Sequence, residues 1–120
     1  MGLDIFFESK KREEEVCYFR KHNHLIPYFG YGEDCSDLNV EKSQIEDYVS
    51  DCKAVLEHWG KPDFEEVAEE KIPTCEGFFF GCYEYDEYYK EKLEEDLKAF
   101  QKVLETFNWD EDELIMHCWW

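Results

Sequence analysis

The stretch DEYYKEKLEEDLKAFQKVLETF, Asp86–Phe107, decides the fold class. Asp86 can cap a helix by accepting a hydrogen bond from an amide of the first turn. Behind it Tyr89, Leu93, Leu97, Phe100, Val103, Leu104 and Phe107 recur at helical spacing, which predicts the inner face of the longest helix in the chain. Glu87, Glu91, Glu94, Glu95 and Glu105 fall on the opposite face. A helix that is apolar on one side only must bury that stripe against another layer.

Working outward, residues 3–8 are short, apolar and β-prone, and read as an opening strand. Leu114–Trp120 has the same character and reads as a terminal strand after the acidic turn Asp110-Glu111-Asp112-Glu113. Between them, Val16, Phe19, Ile26 and Phe29 suit a helix that Pro27 must kink or restart. Ser43-Gln44-Ile45-Glu46 has the form of a capping box, with Ser43 as N-cap. Ile45, Tyr48, Val49, Cys52, Val55, Leu56 and Trp59 then make an amphipathic helix that Gly60 and Pro62 stop. Asp63 and Glu66 can cap a short helix carrying Phe64, Val67 and Ala68, closed by Pro73, and Phe78-Phe79-Phe80 reads as a buried strand. The expectation is a single acidic α+β domain over residues 1–120. Its small antiparallel sheet has two or three strands, with the terminal strands paired, and three to four helices pack on it.

Thirty-one Asp and Glu against thirteen Lys and Arg give a formal charge of −18. Self-repulsion on that scale disfavours a compact state, so the excess calls for a reason. It is also uneven. Asp4, Glu8, Glu13, Glu14 and Glu15 are balanced by Lys10, Lys11, Arg12, Arg20 and Lys21, so residues 1–21 sum to zero. The acidic remainder repels nucleic acid and anionic membrane and favours a basic protein or a cation. Ten Phe, eight Tyr and four Trp separate the chain from acidic disordered tails, which lack apolar area to offset chain entropy. No stretch approaches the roughly 18 apolar residues of a membrane span. The opening residues lack the basic and apolar regions of a secretory signal, so a cytoplasmic address is expected. There the six cysteines are expected as free thiols rather than a disulfide framework, with metal ligation as the competing use.

Catalytic signatures are missing: the chain has no Gly-rich phosphate loop, no Gly-x-Ser-x-Gly elbow and no His-Glu-x-x-His. Cys–His nucleophiles at Cys17 with His22, or at His117 with Cys118, compete with plainer readings as core thiols and surface histidines. A non-enzymatic protein is expected. For metal, His22 and His24 lie about 200° apart on an ideal helix. They can share an ion only where the backbone leaves the helix, as Pro27 allows. Cys35, in a loop behind a glycine turn, is the thiol best placed to join them, and zinc is the ion such ligands suit. Glu84, Tyr85, Asp86 and Glu87, continued by Glu91, Glu94 and Glu95, form an acidic-tyrosine surface suited to a basic partner. The alternative is a helix terminus whose carboxylates only complement the macrodipole.

Three segments also carry a resemblance: Met1-Gly2-Leu3-Asp4, Phe19-Arg20-Lys21-His22-Asn23, and Gly77-Phe78-Phe79-Phe80-Gly81 followed by Glu84-Tyr85-Asp86-Glu87-Tyr88-Tyr89. In this order they resemble a group of small, largely uncharacterised phage and prophage proteins that end, as this chain does, in a short aromatic strand closing on Trp. Phe19 stands where that group usually has Trp, Cys82 where Ser is common, and His22 and His24 where Ala is frequent. A metal site on those histidines would therefore be particular to this chain. Small acidic phage proteins commonly act by binding host defence proteins, anti-CRISPR proteins among them. The resemblance thus implies an inhibitor of a basic host protein, foremost a CRISPR effector nuclease, whose nucleic acid lies in a positively charged channel. It also implies a second possible use, in which Arg20, Lys21, Asn23 and Tyr89 hold a small nucleotide signal.

Overall fold

A computed structural model describes residues 3–31, 36–74 and 84–119. Alternation builds its first strand. In β1 (Asp4–Ser9) Ile5, Phe7 and Ser9 turn inward while Asp4, Phe6 and Glu8 turn outward. Four charged residues then reverse the chain, with Glu13 in the left-handed region at φ 53°. β2 (Glu14–Arg20) returns antiparallel, setting Phe19 against Ile5 and Tyr18 against Phe6, with a register shift between Phe7 and Glu8.

Residues 16–20 are therefore strand, and the helix expected from Val16 onward does not form. Val16 and Phe19 match a helical interval only by coincidence; β-branched and aromatic residues beside a tight reversal find their partners across a ladder. The helix is confined to α1 (Leu25–Phe29). Pro27 sits in its first turn, where a missing amide hydrogen costs nothing. Gly30 ends α1 at φ 72°, where glycine carries no steric penalty.

A strand absent from the sequence reading, β3 (Leu38–Val40), precedes α2 (Lys42–Glu57). The cap of α2 is Glu41 rather than Ser43: its amide donates to Gln44 Oε1 at 2.8 Å, so the box begins two residues earlier than its sequence form suggests. α3 (Phe64–Lys71) follows, and α4 (Glu87–Thr106) starts at Asp86, whose carboxylate accepts from the Tyr89 amide at 3.2 Å. β4 (Leu114–Trp119) closes the sheet in the order β2-β1-β4-β3, all neighbours antiparallel. Among the described residues the sheet thus has four strands instead of two or three, and the terminal strands pair as expected. Phe78-Phe79-Phe80 lies outside the described residues.

The helices cover one face of the sheet. Phe100 of α4 is its hub, with ring centroids 5.1 Å from Phe7, 5.3 Å from Phe19 and 5.3 Å from Tyr48. At one end of the sheet the hairpin tip is fastened to the acidic turn. The Lys11 amide donates to Asp112 Oδ1 at 2.9 Å, Ser9 Oγ donates to the same carboxylate, and Lys10 pairs with Glu113. The basic tip therefore neutralises part of the turn that leads into β4.

Candidate metal centre

Where β2 ends, Lys21 takes a left-handed conformation at φ 61°. Its amide donates to the Leu3 carbonyl at 2.7 Å, and its own carbonyl accepts from Lys92 Nζ at 3.1 Å. This turn drives the next residues off the sheet edge and into the core. His22, Asn23 and His24 are consequently 3%, 1% and 1% exposed, although all three are polar.

Asp96 of α4 meets them. It lies three residues after Leu93 and four before Phe100, on the buried stripe of the helix, and is fully buried. His22 Nδ1 stands 2.6 Å from Asp96 Oδ1, and His24 Nε2 stands 2.6 Å from Oδ2. Tyr48 Oη of α2 donates to Oδ2 at 2.5 Å. Two helices, α2 and α4, and one connecting turn thus meet at one carboxylate. An ionised carboxylate only accepts, so each ring presents an N–H to it.

Burial works to raise the Asp96 carboxyl, but the two imidazoles outweigh it by charge and hydrogen bonding, and hold the group below the ordinary carboxylate range. On His24 burial prevails, lowering it below the usual imidazole value against the pull of Asp96. Convergence of three donors makes the carboxylate the charged member. Burial, reinforced by Asp96, also pushes Tyr48 upward, and it raises Cys17 and Cys52 well above the normal thiol range. Cys52 is buried in the core and Cys17 is half-buried against it, and the raised values favour the thiol form of both. His22 turns to Asp96 rather than to a thiol, and His117 and Cys118 are successive strand residues that point to opposite faces.

These directions set a pH dependence. With His24 depressed in the fold, the unfolded chain binds the extra proton first, so stability falls as pH drops below about 6.5. With Asp96 also depressed, its contribution is full above about 4 and is lost below that. Thermal melts of metal-free protein should therefore lose Tm in two stages on acidification, and His24→Gln should remove the upper stage. A Tm that stays flat from pH 8 to pH 5 would contradict this assignment.

The cluster can also hold a metal ion. His22, His24 and Asp96 each offer a ligand atom within 4.8 Å of the others, and all three are buried. The histidines expected as ligands are thus together, in a non-helical turn. Asp96 and Tyr48 were not foreseen, and Cys35 lies outside the described residues. Among the other residues singled out, Arg20 and Lys21 are exposed, while Asn23 and Tyr89 are buried. Tyr89 Oη is committed to the Ile72 carbonyl at 2.7 Å. Glu84, Glu87, Glu91, Glu94 and Glu95 are exposed, with Tyr85 and Asp86 half-buried. Glu94 pairs with Lys90 at 3.2 Å, and Glu95 Oε2 approaches His22 Nε2 at 3.6 Å. Tyr85 Oη accepts from the Thr74 amide at 3.2 Å.

Among the described residues, no helix is long and apolar enough to cross a membrane. Comparison of the chain with family models, curated proteins and solved structures finds no match.

Proposed function

We propose that this is a non-enzymatic metal-binding protein and that its ion is zinc, held by His22, His24 and Asp96. The supporting observation is the closure of two imidazoles and one carboxylate into a buried group with ligand atoms within 4.8 Å. Nitrogen and oxygen ligands of this kind suit zinc, and a water would complete the four positions zinc takes beside these three residues. Binding needs a change of tautomer. The Nδ1 proton of His22 would move to Nε2, where it would face Glu95 Oε2 at 3.6 Å, and the Nε2 proton of His24 would move to Nδ1, which frees both ligating nitrogens. A carboxylate behind a ligating imidazole is the usual outer support of such a site. Tyr48 does the same for Asp96.

Protein purified without chelator should contain about one zinc per chain by elemental analysis. At a free zinc concentration near 100 times Kd, the fold should gain about 2.7 kcal/mol. The Tm should rise by several degrees, and chelation should reverse the rise. His22→Ala should abolish the metal-dependent shift. An unchanged Tm together with metal-free, folded protein would end the proposal.

A second reading has its own support: Glu87, Glu91, Glu94 and Glu95 of α4 are exposed, as are Glu65, Glu66, Glu69 and Glu70 of α3. On this reading the chain is a phage-derived inhibitor of a basic host defence protein, foremost a CRISPR effector nuclease, and competes with the nucleic acid of its channel. Purified effector should be retained at physiological salt and its cleavage slowed by excess protein. Unchanged cleavage would remove the reading.

A further inference from the structure

We infer that the face of the sheet turned away from the helices docks a basic protein segment presenting arginine. The inference rests on the basic-partner reading for the sign of its charge, and it places the contact on the sheet rather than on the acidic helix.

The core face of these strands carries Ile5, Phe7, Ser9, Cys17, Phe19, Leu114, Met116 and Cys118, so alternation turns Asp4, Phe6 and Glu8, Tyr18 and Arg20, and His117 and Trp119 outward. On that side Tyr18, Phe6 and His117 form one row across β2, β1 and β4. Their ring centroids are 5.1 Å apart for Phe6–Tyr18 and 6.5 Å for Phe6–His117. Arg20, Asp4 and Trp119 form the next row. Tyr18 is 40% and Trp119 64% exposed, a large aromatic area for a chain this polar.

Carboxylates frame these rings. Asp4 accepts from Tyr18 Oη at 2.5 Å, and Asp37 stands 2.8 Å from His117 Nδ1. Beside them is a shallow hollow of about 210 Å³, lined by Glu8, Ser9, Lys10, Glu13, Asp37 and Ile115. Exposed aromatic faces with acids at their edges match a guanidinium, which stacks on the ring and pairs with the carboxylate. Tyrosine and tryptophan are also the residues that most often dominate protein interfaces. A second copy of this chain is a poor occupant because it brings the same −18 charge. Nucleic acid is excluded on the same ground.

The probe is a nine-residue peptide of alternating Arg and Val, with its Glu–Val counterpart as control, titrated calorimetrically at 150 mM salt. Two variants locate the contact: Tyr18→Ala with Trp119→Ala on the sheet, and Glu91→Lys with Glu94→Lys on α4. All these side chains are exposed, so each variant should keep its fold, checked by its melt. The arginine peptide should bind, the glutamate peptide should not, and the sheet variant should weaken binding tenfold or more while the helix variant changes it less than threefold. If the arginine peptide does not bind, the basic-partner reading fails and this inference with it. If it binds but only the helix variant weakens it, capture lies on α4 and this inference alone is overturned.

Discussion

Asp96→Ala is expected to cost the domain about 3–5 kcal/mol, most of the stability of many small domains. The loss does not come from the carboxylate's own contacts alone. Removing it leaves Tyr48 Oη and the N–H groups of His22 and His24 buried without their acceptor. Each orphaned donor costs about 1–3 kcal/mol, and the three share one site, so their costs do not simply add. Asp96→Asn keeps the volume and one acceptor oxygen and should cost less. Tyr48→Phe, which removes one of the three donors, should cost about 1 kcal/mol. Urea unfolding with a constant slope against denaturant gives the comparison directly. A loss under about 1 kcal/mol for Asp96→Ala would mean that the cluster adds little to stability.

Phe100→Ala is expected to cost about 3–5 kcal/mol for a different reason. The ring is fully buried and meets Phe7, Phe19, Phe29 and Tyr48, with centroids 5.1 to 6.1 Å away. Those four rings belong to β1, β2, α1 and α2, so no single element can move in to fill the space. Phe100→Leu, which retains most of the apolar volume, should cost clearly less in the same unfolding measurement. Equal costs for the two variants would mean that the site collapses freely and the ring is not a hub. Phe100 lies one turn after Asp96 and shares Tyr48 with it, so the double variant should depart from the sum of the single losses.

Much of the scaffold was legible because its signals are local. The Asp86 cap and the stripe Tyr89, Leu93, Phe100 and Val103 are read from spacing alone, and α4 buries those residues. β1 and β4 followed from short apolar runs near the two ends of the sequence. β2 was misread because two apolar residues three apart satisfy a helix and say nothing of a hairpin partner. β3, with three residues, is shorter than any periodicity can reveal.

The centre was half legible. The spacing of His22 and His24 marks them as metal ligands that need a non-helical backbone. Lys21 supplies that turn. Asp96 was concealed by composition. In a chain with thirty-one acids, one more on a helix attracts no notice. Its position between Leu93 and Phe100 was nevertheless on the inner face, so an acid at a core position was the available signal. Helical spacing places Tyr48 on the inner face of α2, but its hydroxyl partner is 48 residues away and no local pattern points to it.

The strand order carries a consequence for the growing chain. β4 pairs with β1 on one side and β3 on the other, so the interior of the sheet is completed by residues 114–119. Until those residues leave the ribosome, β1 and β3 each lack a neighbour, and Ile5 and Phe7 have half a sheet to pack on. The β1–β2 hairpin can form early, but its marriage to β4 closes a loop of about a hundred residues, a contact of the kind that slows folding. A nascent chain halted anywhere before Leu114 therefore exposes the open edge of β1, and β4 is the segment that seals it against pairing with other chains.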